Sequence, residues 1–275
     1  MKKNIGGKKM KRVLVVMGML SMFLLASCGE TDEGVLVVGL ECNYAPFNWT
    51  TSEETETSVS IDGVNAYCDG YDVMIASRIA EELQLDLVIR KIEWDGLIPA
   101  LLSSEIDVII AGMSPTPERA ETVSFTNEYY RSEQVLVVQA NGDYANALSL
   151  SDFNGAAVIA QMGTLQDGLI DQITGVNHMN PLGDYPSLVA SLTSGVSNAL
   201  VAELPVAQSI VSSNPGLVIV QLGVNGFLVE DSDVSVSVAV RQDETELLTE
   251  INAVLEGLST EDRNNLMSDA LTSQP

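Results

Sequence analysis

Between Val35 and Leu258 the chain alternates short, unbroken apolar runs with stretches whose apolar residues recur every three or four positions. That rhythm constrains the fold more than any other feature. The run V-L-V-V-G-L (Val35–Leu40) reads as a strand buried on both faces, of the kind found in parallel sheets. Val73, Ile75, Ala76, Ile79, Ala80 and Leu83 then repeat at helical spacing. A helix is therefore predicted over 71–83, followed by a strand over 85–89. The series continues with a helix over 96–103, a strand over 107–111, a helical turn over 118–122 and a strand over 134–139. After the turn-rich 141–150, a second series reads strand (156–160), two helices (165–173 and 185–194), strand (199–202), helix (206–212) and strand (217–221). Residues 234–240 alternate apolar and polar side chains, which fits a returning strand. Residues 244–258 form an amphipathic helix with Leu247, Leu248, Ile251, Val254 and Leu255 inward. The stretch 50–65 is rich in Ser, Thr and Glu with a turn at Asp62-Gly63, so it is expected to be a long loop or hairpin. The expected fold class is α/β, in two units with no obvious repeat.

The N-terminus follows a different logic. Lys2, Lys3, Lys8, Lys9, Lys11 and Arg12 precede an apolar run from Val13 to Ala26 that ends in L-A-S-C. A cationic start, a short apolar stretch and small residues before a cysteine are the order of a secretory signal. The run is too short for a hydrocarbon core that needs about 20 residues. Ala26 and Ser27 before Cys28 resemble the lipobox of bacterial lipoproteins, whose cysteine is acylated and becomes the mature N-terminus. Residues 1–27 are thus expected to be a signal peptide and 28–34 a lipid-anchored tether, leaving the protein outside the cell membrane.

Processing would also shift the charge balance. Removal of the signal takes six of the 13 basic residues and leaves seven against 38 acidic ones. So acidic a chain repels phosphate backbones, which excludes nucleic acid as a partner. With Cys28 assigned to lipid, Cys42 and Cys68 remain as a pair that an oxidising compartment can bridge or leave free. The single histidine, His178, falls in a predicted loop, and no Cys/His spacing suggests a metal or other cofactor.

The chemistry concentrates in W-D-G-L-I-P-A-L (from Trp94), I-D-V-I-I-A-G-M-S-P-T-P-E-R (from Ile106) and F-T-N-E-Y-Y (from Phe125). With Y-A-P-F at Tyr44, G-Y-D-V at Gly70, Q-M-G-T at Gln161 and A-L-V-A-E-L-P-V-A at Ala199, these motifs resemble the polar amino-acid family of bacterial extracytoplasmic solute-binding proteins. That family supplies the receptors of ABC importers. The resemblance implies a type II periplasmic-binding-protein-like fold, two lobes joined by two crossing hinge strands. Lobe 1 would comprise 35–130 with 236–275, and lobe 2 would comprise 131–235, with crossings near 130–132 and 233–235.

It also implies a ligand set. Arg119 would grip the ligand carboxylate through a guanidinium fork, which suits a two-pronged pair better than lysine. Ser114 would touch the carboxylate and ammonium. Glu203, one methylene longer than the aspartate common there, would receive the ammonium. Thr164 opens a helix whose backbone N–H groups face a carboxylate, and Gln161 is a contact that varies with ligand. Tyr44 and Trp94 would flank the ligand side chain, with Phe47 and Trp49 as wall or core. Glu41 would meet its far end, favouring a cationic or amide-bearing amino acid, while Ala111 offers no hydroxyl. The implied partners are a free amino acid, an ABC permease and, through the anchor, the membrane, with the protein itself a monomer. A sensing lipoprotein, or a dehydratase-like enzyme on a related fold, would carry similar binding groups. No paired nucleophile and base supports the enzyme.

Overall fold

The structure, a computed structural model, describes residues 34–274. The expected signal peptide, Cys28 and all of the tether but its last residue lie outside the described residues. The chain begins with β1 (Val35–Leu40), then four short strands, β2 (Asn43–Tyr44), β3 (Asn48–Thr51), β4 (Val59–Ser60) and β5 (Tyr67–Asp69). Next come α1 (Tyr71–Leu83), β6 (Asp86–Lys91), α2 (Leu97–Leu102), β7 (Val108–Ile109), α3 (Pro117–Ala120) and β8 (Ser124–Arg131). A second series holds β9 (Gln134–Gln139), β10 (Ala157–Ile159), α4 (Leu165–Leu169), β11 (Asn177–His178), α5 (Tyr185–Thr193), β12 (Ala199–Glu203), α6 (Leu204–Ser213) and β13 (Leu217–Val220). The chain returns through α7 (Asp231–Val234) and β14 (Ser235–Val240) and ends in α8 (Thr245–Glu256) and α9 (Thr260–Ser273).

Two mixed five-stranded sheets result. The first is ordered β6-β1-β7-β14-β8 and the second β11-β10-β12-β9-β13. In the first, β1 is parallel to β6 and β7, while β14 runs antiparallel to β7 and β8. In the second, β10 is parallel to β11 and β12, and β9 is antiparallel to β12 and β13. The chain passes between the sheets where β8 gives way to β9 and again where α7 leads into β14. These passages lie side by side, since Ser132 N donates to Val234 O at 2.8 Å and the Gln134 side chain donates to Asp233 O at 3.1 Å.

Three elements sharpen the sequence reading. β14 has alternating chemistry, yet all six of its residues are buried, because it lies between β7 and β8 with both faces covered. The polar stretch 50–65 takes the hairpin alternative, tied into a four-stranded antiparallel sheet, β2-β3-β5-β4. There Asp69 accepts from the Thr55 and Thr57 hydroxyls at 2.7 and 2.8 Å, and Cys42 is joined to Cys68 by a disulfide with Cα atoms 5.6 Å apart. The third is α9, which has too weak an apolar stripe to announce itself. It starts on a Ser259/Asp262 capping box and buries only Met267 and Ala270. It packs on α1 from the first series and α6 from the second, so the segment 260–275 touches more than the lobe to which it was assigned.

His178 is also not a loop residue. It lies on β11, at the edge of the second sheet, with Nε2 2.9 Å from Asp167 Oδ1 and Nδ1 2.8 Å from Asp171 Oδ1.

Candidate ligand-binding site

Glu41 directly follows β1, Gly112 and Ser114 follow β7, Gln161 and Thr164 follow β10, and Glu203 closes β12. These are the carboxyl ends of strands that run parallel to a neighbour, the place where open α/β sheets leave a crevice. All eight residues expected to bind ligand line one enclosed cavity there: Glu41, Tyr44, Trp94, Ser114, Arg119, Gln161, Thr164 and Glu203. Its volume is about 10 Å³, room for about one water. A wider cleft of about 940 Å³ lies beside it and shares Trp94, Arg119 and Thr164 as a common wall.

Contacts across the cavity join the two sheets. Gln161 Nε2 donates to Glu41 Oε1 at 2.8 Å and to Gly183 O at 2.9 Å. The Trp94 indole N–H donates to Gly163 O at 3.0 Å. Arg119 extends from the short α3, whose start is set by Thr116 as N-cap and Pro117 in the first turn. Its Nη1 donates to Ser114 O at 2.9 Å, and its guanidinium carbon lies 5.0 Å from the centre of the Trp94 ring. Thr164 caps α4: its hydroxyl donates to Gln161 O at 2.7 Å and accepts from Asp167 N at 3.4 Å.

Burial dominates the electrostatics. Glu41 and Glu203 are each 2% exposed. Desolvation pushes the Glu41 carboxyl up to about 7, against the pull of the Gln161 hydrogen bond. It pushes Glu203 up to about 8, opposed by the nearby Tyr44 hydroxyl. Glu203 Oε1 lies 3.5 Å from Gln166 Nε2, and its Oε2 is a buried acceptor with no partner among the described residues. Burial also lowers the Arg119 guanidinium, partly offset by the charges of Glu118 and Glu203. The cavity thus encloses two carboxyl groups, both biased by burial toward the protonated form, and one guanidinium.

Tyr44 is buried between aromatic neighbours, 4.8 Å from the Tyr185 ring centre and 5.3 Å from that of Phe47. Tyr44 and Trp94 both border the cavity, but the Trp94 ring carries Arg119 on it. Phe47 and Trp49 are buried in the core. Ala111 is buried and does not line the cavity, and Met113 faces the wider cleft.

Four wall residues went unassigned in the sequence: Gly112, Leu165, Gln166 and Tyr185. Gly112 sits inside the A-G-M-S stretch, and its role follows from its backbone. Its φ is +65°, and a Cβ there would stand 2.7 Å from Tyr44 Cε1. Leu165 and Gln166 open α4 directly after Thr164, so helix phase could have singled them out. Tyr185 opens α5 and reaches Tyr44 only through the tertiary fold.

The model of the bacterial extracellular solute-binding proteins, family 3, matches residues 36–269. The chain belongs to that family. A family 3 protein is a solute-binding receptor of ABC transporters and not an enzyme. Among related proteins, this family member is 26% identical over 259 residues to the arginine-binding extracellular protein ArtP of Bacillus subtilis, covering 89% of this chain and 91% of that one. It is similar to the amino acid ABC transporter substrate-binding protein AbpA of Streptococcus pneumoniae bound to L-arginine, with a TM-score of 0.74 and 28% identity over 87% of this chain and 95% of the other. An ancestral arginine-binding protein bound to glutamine superposes with a TM-score of 0.72 at 30% identity, covering 86% of this chain and 97% of that one.

Proposed function

We propose that this receptor binds a cationic amino acid, with arginine first, between two lobes that close on it, and delivers it to an ABC permease. The observation that carries the reading is the pair of buried acids. Burial favours the protonated form of Glu41 and Glu203 in the empty cavity, and an amino acid with a cationic side chain brings two positive groups, its ammonium and its side chain, that would ionise both. A neutral zwitterion offers only its ammonium and would leave Glu41 protonated or else charged without a partner.

The roles follow from the donors and acceptors. Arg119 takes the ligand carboxylate, with Ser114 and the Thr164 turn beside it. Glu203, whose Oε2 is free to accept, takes the ammonium. Glu41 takes the far end of the side chain, exchanging its Gln161 donor for the ligand's cation. Tyr44 and Trp94 supply apolar walls. Lobe 1 (35–130 with 236–275) contributes Glu41, Tyr44, Trp94, Ser114 and Arg119, and lobe 2 (131–235) contributes Gln161, Thr164 and Glu203. Only a closed arrangement satisfies both sets at once, so ligand shifts the equilibrium toward closure. With room for about one water, the cavity admits an amino acid only when its walls part. Acylated Cys28 would hold the receptor at the membrane near its permease, raising its effective concentration there.

The relatives named for arginine support this choice. Gln161, with its amide at Glu41, and the glutamine-bound ancestral protein support an amide-bearing ligand as the second reading. Calorimetry against the twenty amino acids separates them. Arginine and lysine are expected to bind most tightly, and Glu41→Gln is expected to weaken them roughly tenfold or more while sparing glutamine. An unchanged ranking in that variant would remove Glu41 from the specificity site.

A further inference from the structure

Behind the ligand cavity lies a carboxylate that the binding reading does not use. Asp72, in the G-Y-D-V stretch at the start of α1, is fully buried, yet no cation pairs with it among the described residues. Its two oxygens go to different places. Oδ1 accepts from the Tyr129 hydroxyl at 2.7 Å, and Oδ2 accepts from Asn48 Nδ2 at 2.8 Å.

Each of those partners reaches a wall of the cavity. The Tyr129 hydroxyl in turn accepts from Gly112 N at 3.0 Å, so the chain Gly112 N–H, Tyr129 O–H, carboxylate ends on the loop that carries Ser114. Asn48 pairs with Tyr44 across the β2-β3 turn. That turn is further fixed because Asp72 N donates to Phe47 O at 2.7 Å. The two walls meet at Gly112, where no side chain larger than hydrogen fits against Tyr44. A small slip of either wall therefore closes or distorts the site.

We propose that Asp72 is the positioning residue of this site, its two oxygens fixing the Tyr44 turn and the Gly112–Ser114 loop against each other. Charge suits it to the task. An ionised carboxylate accepts on both oxygens, and a hydrogen bond to a charged acceptor is about twice as strong as a neutral one. Burial raises the carboxyl to about 6, while the Tyr129 and Asn48 bonds pull it down, so it is ionised at neutral pH. Its seat in the first turn of α1 also places it at the favourable end of the helix dipole. Tyr129 is itself pinned, since the Tyr71 hydroxyl donates to Tyr129 O at 2.7 Å.

The ligand half of the test rests on arginine being bound here. Tyr129→Phe removes one hydroxyl and keeps the ring, and Asp72→Ala removes the anchor. Each is expected to weaken L-arginine binding roughly tenfold by calorimetry. The double variant should lose no more than about twofold beyond the weaker single, because both break one chain. The Gly112 amide resonance, read by NMR without ligand, should shift in both variants, while amides of β9 and β12 stay in place. Should Asp72→Ala not fold, Tyr129→Phe decides alone. Wild-type affinity in Tyr129→Phe, multiplied losses in the double variant, or an unmoved Gly112 amide would overturn the assignment. If the wild-type protein binds no arginine, the ligand reading falls, and the Gly112 amide still decides this one.

Discussion

Arg119 shows what a single side chain contributes. It is the one cation among the cavity's wall residues, held on the Trp94 face and on Ser114 O, with Pro117 and Thr116 fixing the turn from which it reaches. Arg119→Ala should abolish amino-acid binding, a loss of roughly 3 to 5 kcal/mol because a ligand carboxylate would be buried unpaired. The fold should survive, since Arg119 contacts the cavity and not the core. Calorimetry beside a thermal melt checks both halves, and near-normal affinity in the variant would displace Arg119 from the site. Residue identity carried this far because a fork-shaped cation in a Pro- and Thr-rich turn has few other uses. Tyr185 carries no such local mark, and Asp72 sits in the G-Y-D-V motif with nothing nearby in sequence to show what it holds. Their roles depend on what stands opposite them, and the opposing residues come from distant strands.

At the scale of elements, strongly periodic segments were legible almost to the residue. The predicted helix over 71–83 is α1, and the predicted strand over 134–139 is β9. Short elements blurred at their ends, since β7 spans two residues where five were expected. α9 lacks a strong signal in the sequence because its apolar stripe is narrow, with only Met267 and Ala270 buried. His178 illustrates a link between elements that sequence spacing conceals. It ties β11 to Asp167 on α4 and to Asp171 just beyond it. Partial desolvation lowers its affinity for a proton, but the two aspartates outweigh this and raise it above its ordinary 6.5. The folded state therefore holds the proton more tightly than the unfolded chain. The resulting stabilisation is complete below about pH 6.5 and fades as pH rises through the higher folded value. Asp171 is largely exposed, which screens the pair. His178→Gln should cost about 0.5–1 kcal/mol in urea unfolding at pH 6 and less at pH 9. A pH-independent difference would reject the charge-based account.

At the scale of the whole molecule, two sheets make one receptor. If Cys28 carries the anchor, Cys28→Ser should release the protein into the medium or leave it unprocessed, as fractionation of cells would reveal; normal membrane retention would count against the anchor. The sequence by itself determined the α/β class, the family and the residue types that a charged ligand needs. Those properties reside in local periodicity and in motifs of a few residues, and neither requires a partner across the fold. Only the tertiary structure decided that eight residues drawn from strand ends, from β2 and from α3 enclose one cavity, that Gln161 spans the sheets to reach Glu41, and that β14 is buried on both faces. Burial, too, was decided there. An acid in a motif is just an acid until the fold removes its water, and desolvation raises Glu41 and Glu203 to about 7 and 8, so that each holds its charge at neutral pH only beside a positive group.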